Sequence, residues 1–260
     1  MGSGRKPLDL PAPEARGSDT ELIARAYTLF DGPPTTDAEV CTSCCLEPDF
    51  AATLFDRPNR TVPLADIQAW MGAAAEPRGI SRRLSRYLLP RVVELILQGA
   101  QVHPLDPALT LERFQTGDET RWGREERMLL ARFEAACLDR WRADAPGGYP
   151  GTRLDDALCM LARAGQDVDP ALRYLWSWPD RDLFHALARD WGLEWAVPHV
   201  AETAFWQPGT GTPPGLAAQA KRTAAWFRSP QMQARARKAA GTGTRARGLS
   251  RDAGFVLSAL

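Results

Sequence analysis

The chain has 260 residues, 44% of them hydrophobic and 25% charged, with 32 basic residues balanced by 32 acidic ones. That composition excludes disordered and fibrous classes and is enough for one large helical domain or two smaller ones. No stretch approaches the roughly 18 apolar residues of a membrane span, and the Gly-, Pro- and charge-rich start lacks the apolar core of a secretory signal, so no membrane association is expected.

Residues 1–17 read as a flexible N-terminal segment. Ser18-Asp19-Thr20-Glu21 is a capping-box pattern, and Leu22, Ile23, Ala26, Tyr27 and Phe30 follow at helical spacing until Asp31-Gly32-Pro33-Pro34 ends the run. The loop that follows carries Cys41-Thr42-Ser43-Cys44-Cys45. Pro48 and Pro63 each open a further helix, through Phe55 and Ala75 respectively. Ser81 to Gln98 predicts one long amphipathic helix, with a kink expected at Pro90, whose ring removes a backbone donor. Helices are then expected at Ala108–Gln115, Arg124–Arg142, Arg153–Ala164, Pro170–Trp176, Arg181–Trp191, Glu194–Trp206, Gly215–Phe227 and Gln231–Ala240.

Alternating β-branched runs are missing, so the fold class is all-α: an irregular multi-helix bundle or a short helical-repeat-like array. The Gly/Pro-rich stretch Ala143 to Gly151 is the natural boundary between a cysteine-bearing half (18–142) and a Trp-rich half (152–240). A basic, flexible C-terminal tail (241–260) follows, and Phe255-Val256-Leu257 can pin its end to the core.

Five cysteines, three of them within five residues, do not make a secreted disulfide framework, and a reducing cytoplasm is expected. Cys41 and Cys44 have the two-residue spacer that turns two sulfurs onto one ion, zinc being the cofactor such a site takes. Cys45 is the next ligand but points elsewhere unless the backbone bends. A fourth zinc ligand would have to come from afar, from His103 or Cys137. A redox pair of Cys41 and Cys44, or three cysteines that merely pack, are the other readings. Cys137 and Cys159 sit among apolar neighbours on predicted helices and read as small core residues.

The order of an aromatic-bearing helix (Tyr27, Phe30), the cysteine run, Leu64-Ala65-Asp66-Ile67 and then Tyr87-Leu88-Leu89-Pro90-Arg91-Val92-Val93-Glu94-Leu95 resembles a group of uncharacterised bacterial proteins. Those proteins carry a cysteine cluster upstream of a Leu-Pro-Arg helix. The resemblance covers Tyr27 to Trp141 and implies a helical fold but no enzyme class. Ser43 and Tyr87 stand where that group has histidines, which argues against a His-assisted metal site here.

No His-Glu-x-x-His, Gly-x-Ser-x-Gly, P-loop or dinucleotide pattern is present, so no catalytic residue is assigned. Asp155-Asp156 and Asp180/Asp182 lie in first turns of predicted helices, where carboxylates meet the positive dipole end. The tryptophans read as packing anchors. Nine basic residues and no acid lie between Lys221 and Arg251. Of these, Arg235, Arg237, Lys238, Arg245 and Arg247 are the candidate anion-binding residues; alternatively the segment docks on the chain's own acidic body. Three functions follow. The first is a protein-binding module, of adaptor or toxin-neutralising kind, with a protein as partner. The second is a metal-dependent or redox-responsive protein using the cysteines. The third is an anion or nucleic-acid binder.

Overall fold

The computed structural model describes residues 9–12, 15, 17–74, 80–142, 153–191, 206–207, 215–241 and 247–259. Among these residues the chain forms eleven α-helices and no strand, an all-α multi-helix arrangement. The first is α1 (Asp19–Leu29), started by the expected capping box: the Glu21 amide donates to Ser18 Oγ at 3.2 Å and the Ser18 amide to Glu21 Oε2 at 2.8 Å. Two shorter helices, α2 (Pro48–Thr53) and α3 (Leu64–Gly72), flank a 3₁₀ turn at Asn59–Thr61.

Helix α4 (Arg82–Leu97) is capped by Ser81, whose hydroxyl accepts the Leu84 amide at 3.1 Å. It runs on through Pro90, and its apolar side chains are buried along most of its length. Packing on both sides of the proline offsets the hydrogen bond lost there. The helix expected at Ala108–Gln115 is instead two 3₁₀ turns, Pro107–Leu109 and Glu112–Phe114, closed by Gln115 in the left-handed region (φ 49°). Asp106 caps the first turn and the side chain of Arg113 is drawn away to the end of α3, so tertiary bonds override the local helical pattern.

Helices α5 (Arg124–Asp139) and α6 (Leu154–Arg163) form the centre. Helix α5 packs on α1, α4, α6 and α7 (Val168–Ser177). Every residue of α6 except Arg163 is buried, the signature of a helix covered on all faces. It touches α5, α7, α8 (Asp180–Trp191), α9 (Leu216–Phe227) and the Pro107–Leu109 turn. The Arg163 guanidinium grips Glu112 through two bonds of 3.0 Å, locking the 3₁₀ segment to α6. One contiguous core runs from Leu22 to Val256 and so crosses the expected boundary, whose residues 143–151 lie outside the described part.

The chain continues through α10 (Pro230–Ala240) to α11 (Arg247–Ala259). Residues 247–259 thus form a helix where a flexible tail was expected. Ala253 and Val256, one turn apart, are buried, and α11 packs on α8 and α10. Trp70, Trp178 and Trp206 are fully buried packing anchors, whereas Trp176 is 39% exposed. Of the helix expected at Glu194–Trp206, residues 194–205 are outside the described part. Trp206 itself donates its indole N–H to Asp155 at 3.1 Å.

A candidate thiol metal centre and a buried carboxyl cavity

The cysteine loop is held at three points. Trp70 donates its indole N–H to the Ala38 carbonyl at 2.8 Å, and the Cys41 amide donates to the Ala74 carbonyl at 2.9 Å. The Glu39 carboxylate accepts from both the amide and the hydroxyl of Ser81, so the loop also caps α4. The Leu46 amide returns to the Cys41 carbonyl at 3.3 Å and closes a turn across residues 42–45. That turn is the backbone bend that brings Cys45 back beside its neighbours.

Cys41 Sγ lies 3.4 Å from Cys44 Sγ, and Cys44 Sγ lies 3.6 Å from Cys45 Sγ. All three sulfurs are within 4.8 Å of one another, and this is the one such His/Cys/Asp/Glu group among the described residues. Sulfurs bound 2.3 Å from one tetrahedral ion stand about 3.8 Å apart, so the cluster is close to the spacing that a metal requires. Cys44 and Cys45 are exposed and Cys41 is half-buried, which leaves an outward face for a further ligand.

Cys41 and Cys44 differ electrostatically. The Ser43 hydroxyl, the Cys44 thiol and the amides of Cys44 and Ser43 stabilise the Cys41 thiolate and hold it down at about 6. Sharing its proton with Cys41 and Cys45 raises Cys44 to about 11. Cys45 accepts the Ala74 amide at 3.4 Å. The half-buried Arg113 guanidinium adds positive charge on that side.

His103 is not among the gathered donors. Its Nδ1 accepts the amides of Leu105 and Asp106 at 3.2 and 3.3 Å, and burial holds the ring well below its ordinary value, at about 4. It is a turn-forming, neutral histidine. Cys137 and Cys159 are buried on α5 and α6 apart from the cluster.

The acids expected to serve helix starts lie in the first turns of α6 and α8, and several are also held in ion pairs that the sequence did not indicate. Asp156 accepts the Arg153 amide at 2.7 Å, Asp182 pairs with Arg142 at 2.8 Å, and Asp180 pairs with Arg235 at 2.7 Å. Arg235 also donates to the carbonyls of Trp176 (2.7 Å) and Trp178 (2.5 Å) and lies over the Trp176 ring. It therefore caps α7 rather than facing solvent. Arg237 and Lys238 are exposed in the last turn of α10, while Arg245 and the side chain of Arg247 lie outside the described residues.

One cavity arises from residues that no sequence pattern singled out. Arg127, Ala131 and Glu134 recur at helical spacing on α5 and form one wall of a space of about 230 Å³. Thr116, Gly117 and Glu119 form the second wall, and Gly165, Gln166, Asp167 and Pro170 the third. Glu134 is only 8% exposed and has no hydrogen-bond or ion-pair partner among the described residues, and burial alone lifts its carboxyl to about 8. The one signal in the sequence was a charged residue on the otherwise apolar stretch Phe133 to Leu138, which the helical period turns inward. No helix of the described residues is long and apolar enough to cross a membrane. No protein-family model matches the chain, and no curated protein or solved structure matches it.

Proposed function

We propose that the chain is a metal-binding helical protein whose Cys41–Cys44–Cys45 tripod takes a soft divalent cation of the zinc class. The observation that carries this reading is the convergence of three sulfurs within 4.8 Å of one another on a loop tied to α3 and α4. Thiolates are the ligands such ions prefer, and the acidity of Cys41 supplies the first at neutral pH. A reducing, cytoplasmic setting is the one in which three neighbouring thiols keep this form.

The fourth position opens outward, where a water or a donor from a protein partner completes the shell. The second option joins the metal to the protein-binding role expected from the sequence. Exposed Phe50 on α2, five residues after Cys45 in the sequence, offers such a partner an apolar contact.

The test is elemental mass spectrometry of natively purified protein beside the Cys41→Ser/Cys44→Ser variant. Near-stoichiometric zinc or iron that disappears in the variant supports the reading. Metal-free protein that also takes up no zinc on titration overturns it. The asymmetry between Cys41 and Cys44 favours one second reading, a redox pair in which Cys41 is the nucleophile. Peroxide would then accept two electrons, the Cys41–Cys44 bond would form, and two waters would leave. Rapid loss of two titratable thiols in metal-free protein treated with peroxide, blocked by Cys44→Ser, distinguishes it.

A further inference from the structure

We propose that the cavity between α5, the Thr116–Gly117 turn and the α6–α7 turn is a binding site for a small primary amine, with the Glu134 carboxylate as counter-ion to its ammonium group. A buried polar group without a partner costs free energy, so it is retained against selection for stability only where something meets it. Glu134 is such a group. Its carboxyl oxygens are not sealed in protein but open on the cavity, and no cation of the wall reaches it. Among the described residues lining the space the one cationic side chain is Arg127, whose charge is paired with Glu119 at 3.2 Å although its Nε is buried without a hydrogen-bond partner. Asp167 is engaged as well, accepting the Asp169 amide at 3.1 Å and pairing with Arg222 at 3.1 Å. One acid is therefore left over, and the missing charge is positive.

An ammonium has three donors. The Thr116 hydroxyl, buried and without a partner, supplies a second acceptor beside Glu134. The size of the space argues for a few-carbon amine, since about 230 Å³ falls below the roughly 300–1,000 Å³ of sites for drug-sized ligands. A bare divalent cation fits less well, because the carboxylates of Glu119, Glu134 and Asp167 do not form a converging group. Burial favours the protonated form of the Glu134 carboxyl at neutral pH. Arrival of an ammonium favours the ionised form, and the displaced proton passes to solvent.

The experiment is calorimetric titration of the full chain at pH 7 with n-butylamine, against 1-butanol, butyrate and magnesium chloride, in buffers of different ionisation enthalpy. Butylamine binding with net proton release is expected, and no heat from the alcohol or the anion. Glu134→Gln, which keeps the shape, is expected to weaken binding about ten- to a hundredfold, the loss of one charge-assisted hydrogen bond. Ala131→Leu fills the space from the neighbouring turn of α5 and is expected to abolish binding with Glu134 in place. Cys41→Ser/Cys44→Ser is expected to bind the amine like the native chain, so the result is independent of the thiol centre. Absence of butylamine binding, equal affinity in Glu134→Gln, or magnesium binding in its stead overturns the proposal.

Discussion

Gly117 and Gly165 meet backbone to backbone. A Cβ added at Gly117 would stand 2.0 Å from the carbonyl of Gly165, and the Gly117 amide donates to the neighbouring Ala164 carbonyl at 2.9 Å. This contact fastens the Thr116–Glu119 segment to the end of α6 and sets two walls of the Glu134 cavity. Gly165 itself has a φ of +82°, but its own Cβ direction is nearly clear, with the nearest atom 3.8 Å away.

The two glycines are therefore required for different reasons and should fail differently. Gly117→Ala forces backbone apart from backbone and is expected to cost about 3 kcal/mol, the upper part of the overpacking range, while widening the cavity. Gly165→Ala carries only the left-handed strain, about 1 kcal/mol. Urea unfolding of both variants checks the order. Equal losses would mean that the close approach relaxes freely.

Glu134 makes stability depend on pH in a stated direction. Its carboxyl titrates at an ordinary 4.5 in the unfolded chain and at about 8 in the folded one. Between those values the native state holds a proton that the unfolded state has lost. Its contribution is complete below about pH 4.5 and is lost as pH rises through about 8, by up to tenfold in the folding equilibrium per unit. Glu134→Gln removes this dependence and adds only a pH-independent offset. The stability difference between variant and native chain should thus move in favour of the variant by several kcal/mol, to order of magnitude, between pH 5 and 8.5. Denaturant titrations at the two pH values check it, and a constant difference would place the carboxyl at its ordinary value.

The basic segment divides into structural and free residues. Arg235 satisfies the carbonyls of Trp176 and Trp178, pairs with Asp180 and is 15% exposed. Arg235→Ala leaves those groups unmatched and is expected to cost about 2–3 kcal/mol. Arg237→Ala/Lys238→Ala, on the exposed turn, should stay within about 0.5 kcal/mol. The double variant therefore tests polyanion binding without disturbing the fold. Salt-dependent affinity for duplex DNA that drops in this variant would support the anion-binding reading.

Apolar periodicity and caps made most helices legible. Ser18 and Ser81 act as N-caps, Pro48 opens α2, and the apolar stripe of Leu84, Leu88, Val92 and Leu95 faces the core. The cysteine spacing likewise marked the thiol cluster, although the position of Cys45 depended on a turn that spacing alone does not specify. Three features were not legible because long-range contacts decide them. Arg113 replaces a helix by two 3₁₀ turns, the segment expected to be a flexible tail pinned near Val256 is a helix packed on α8 and α10, and Glu134 faces a cavity assembled from three separate segments.

Arg113 links the core to the thiol loop. Its guanidinium donates to the carbonyls of Trp70 at 2.8 Å, Met71 at 3.0 Å and Ala73, and lies over the Trp70 ring. It thereby finishes α3 and fixes the next residue, Ala74, whose carbonyl accepts the Cys41 amide and whose amide meets Cys45 Sγ. Removing the fork should loosen the segment against which two of the three sulfurs are positioned. Arg113→Met keeps the stem and loses the donors, and is expected to weaken zinc binding about tenfold or more, in the range of outer-shell substitutions at metal sites. Arg113→Lys should recover little, because a compact ammonium does not span three carbonyls as a planar fork does. Competition with a chromogenic chelator measures both variants beside Arg91→Lys, a substitution on α4 that is distant in sequence from the loop. Native zinc affinity in folded Arg113→Met would show that the cysteine loop holds its own geometry without the α3 anchor.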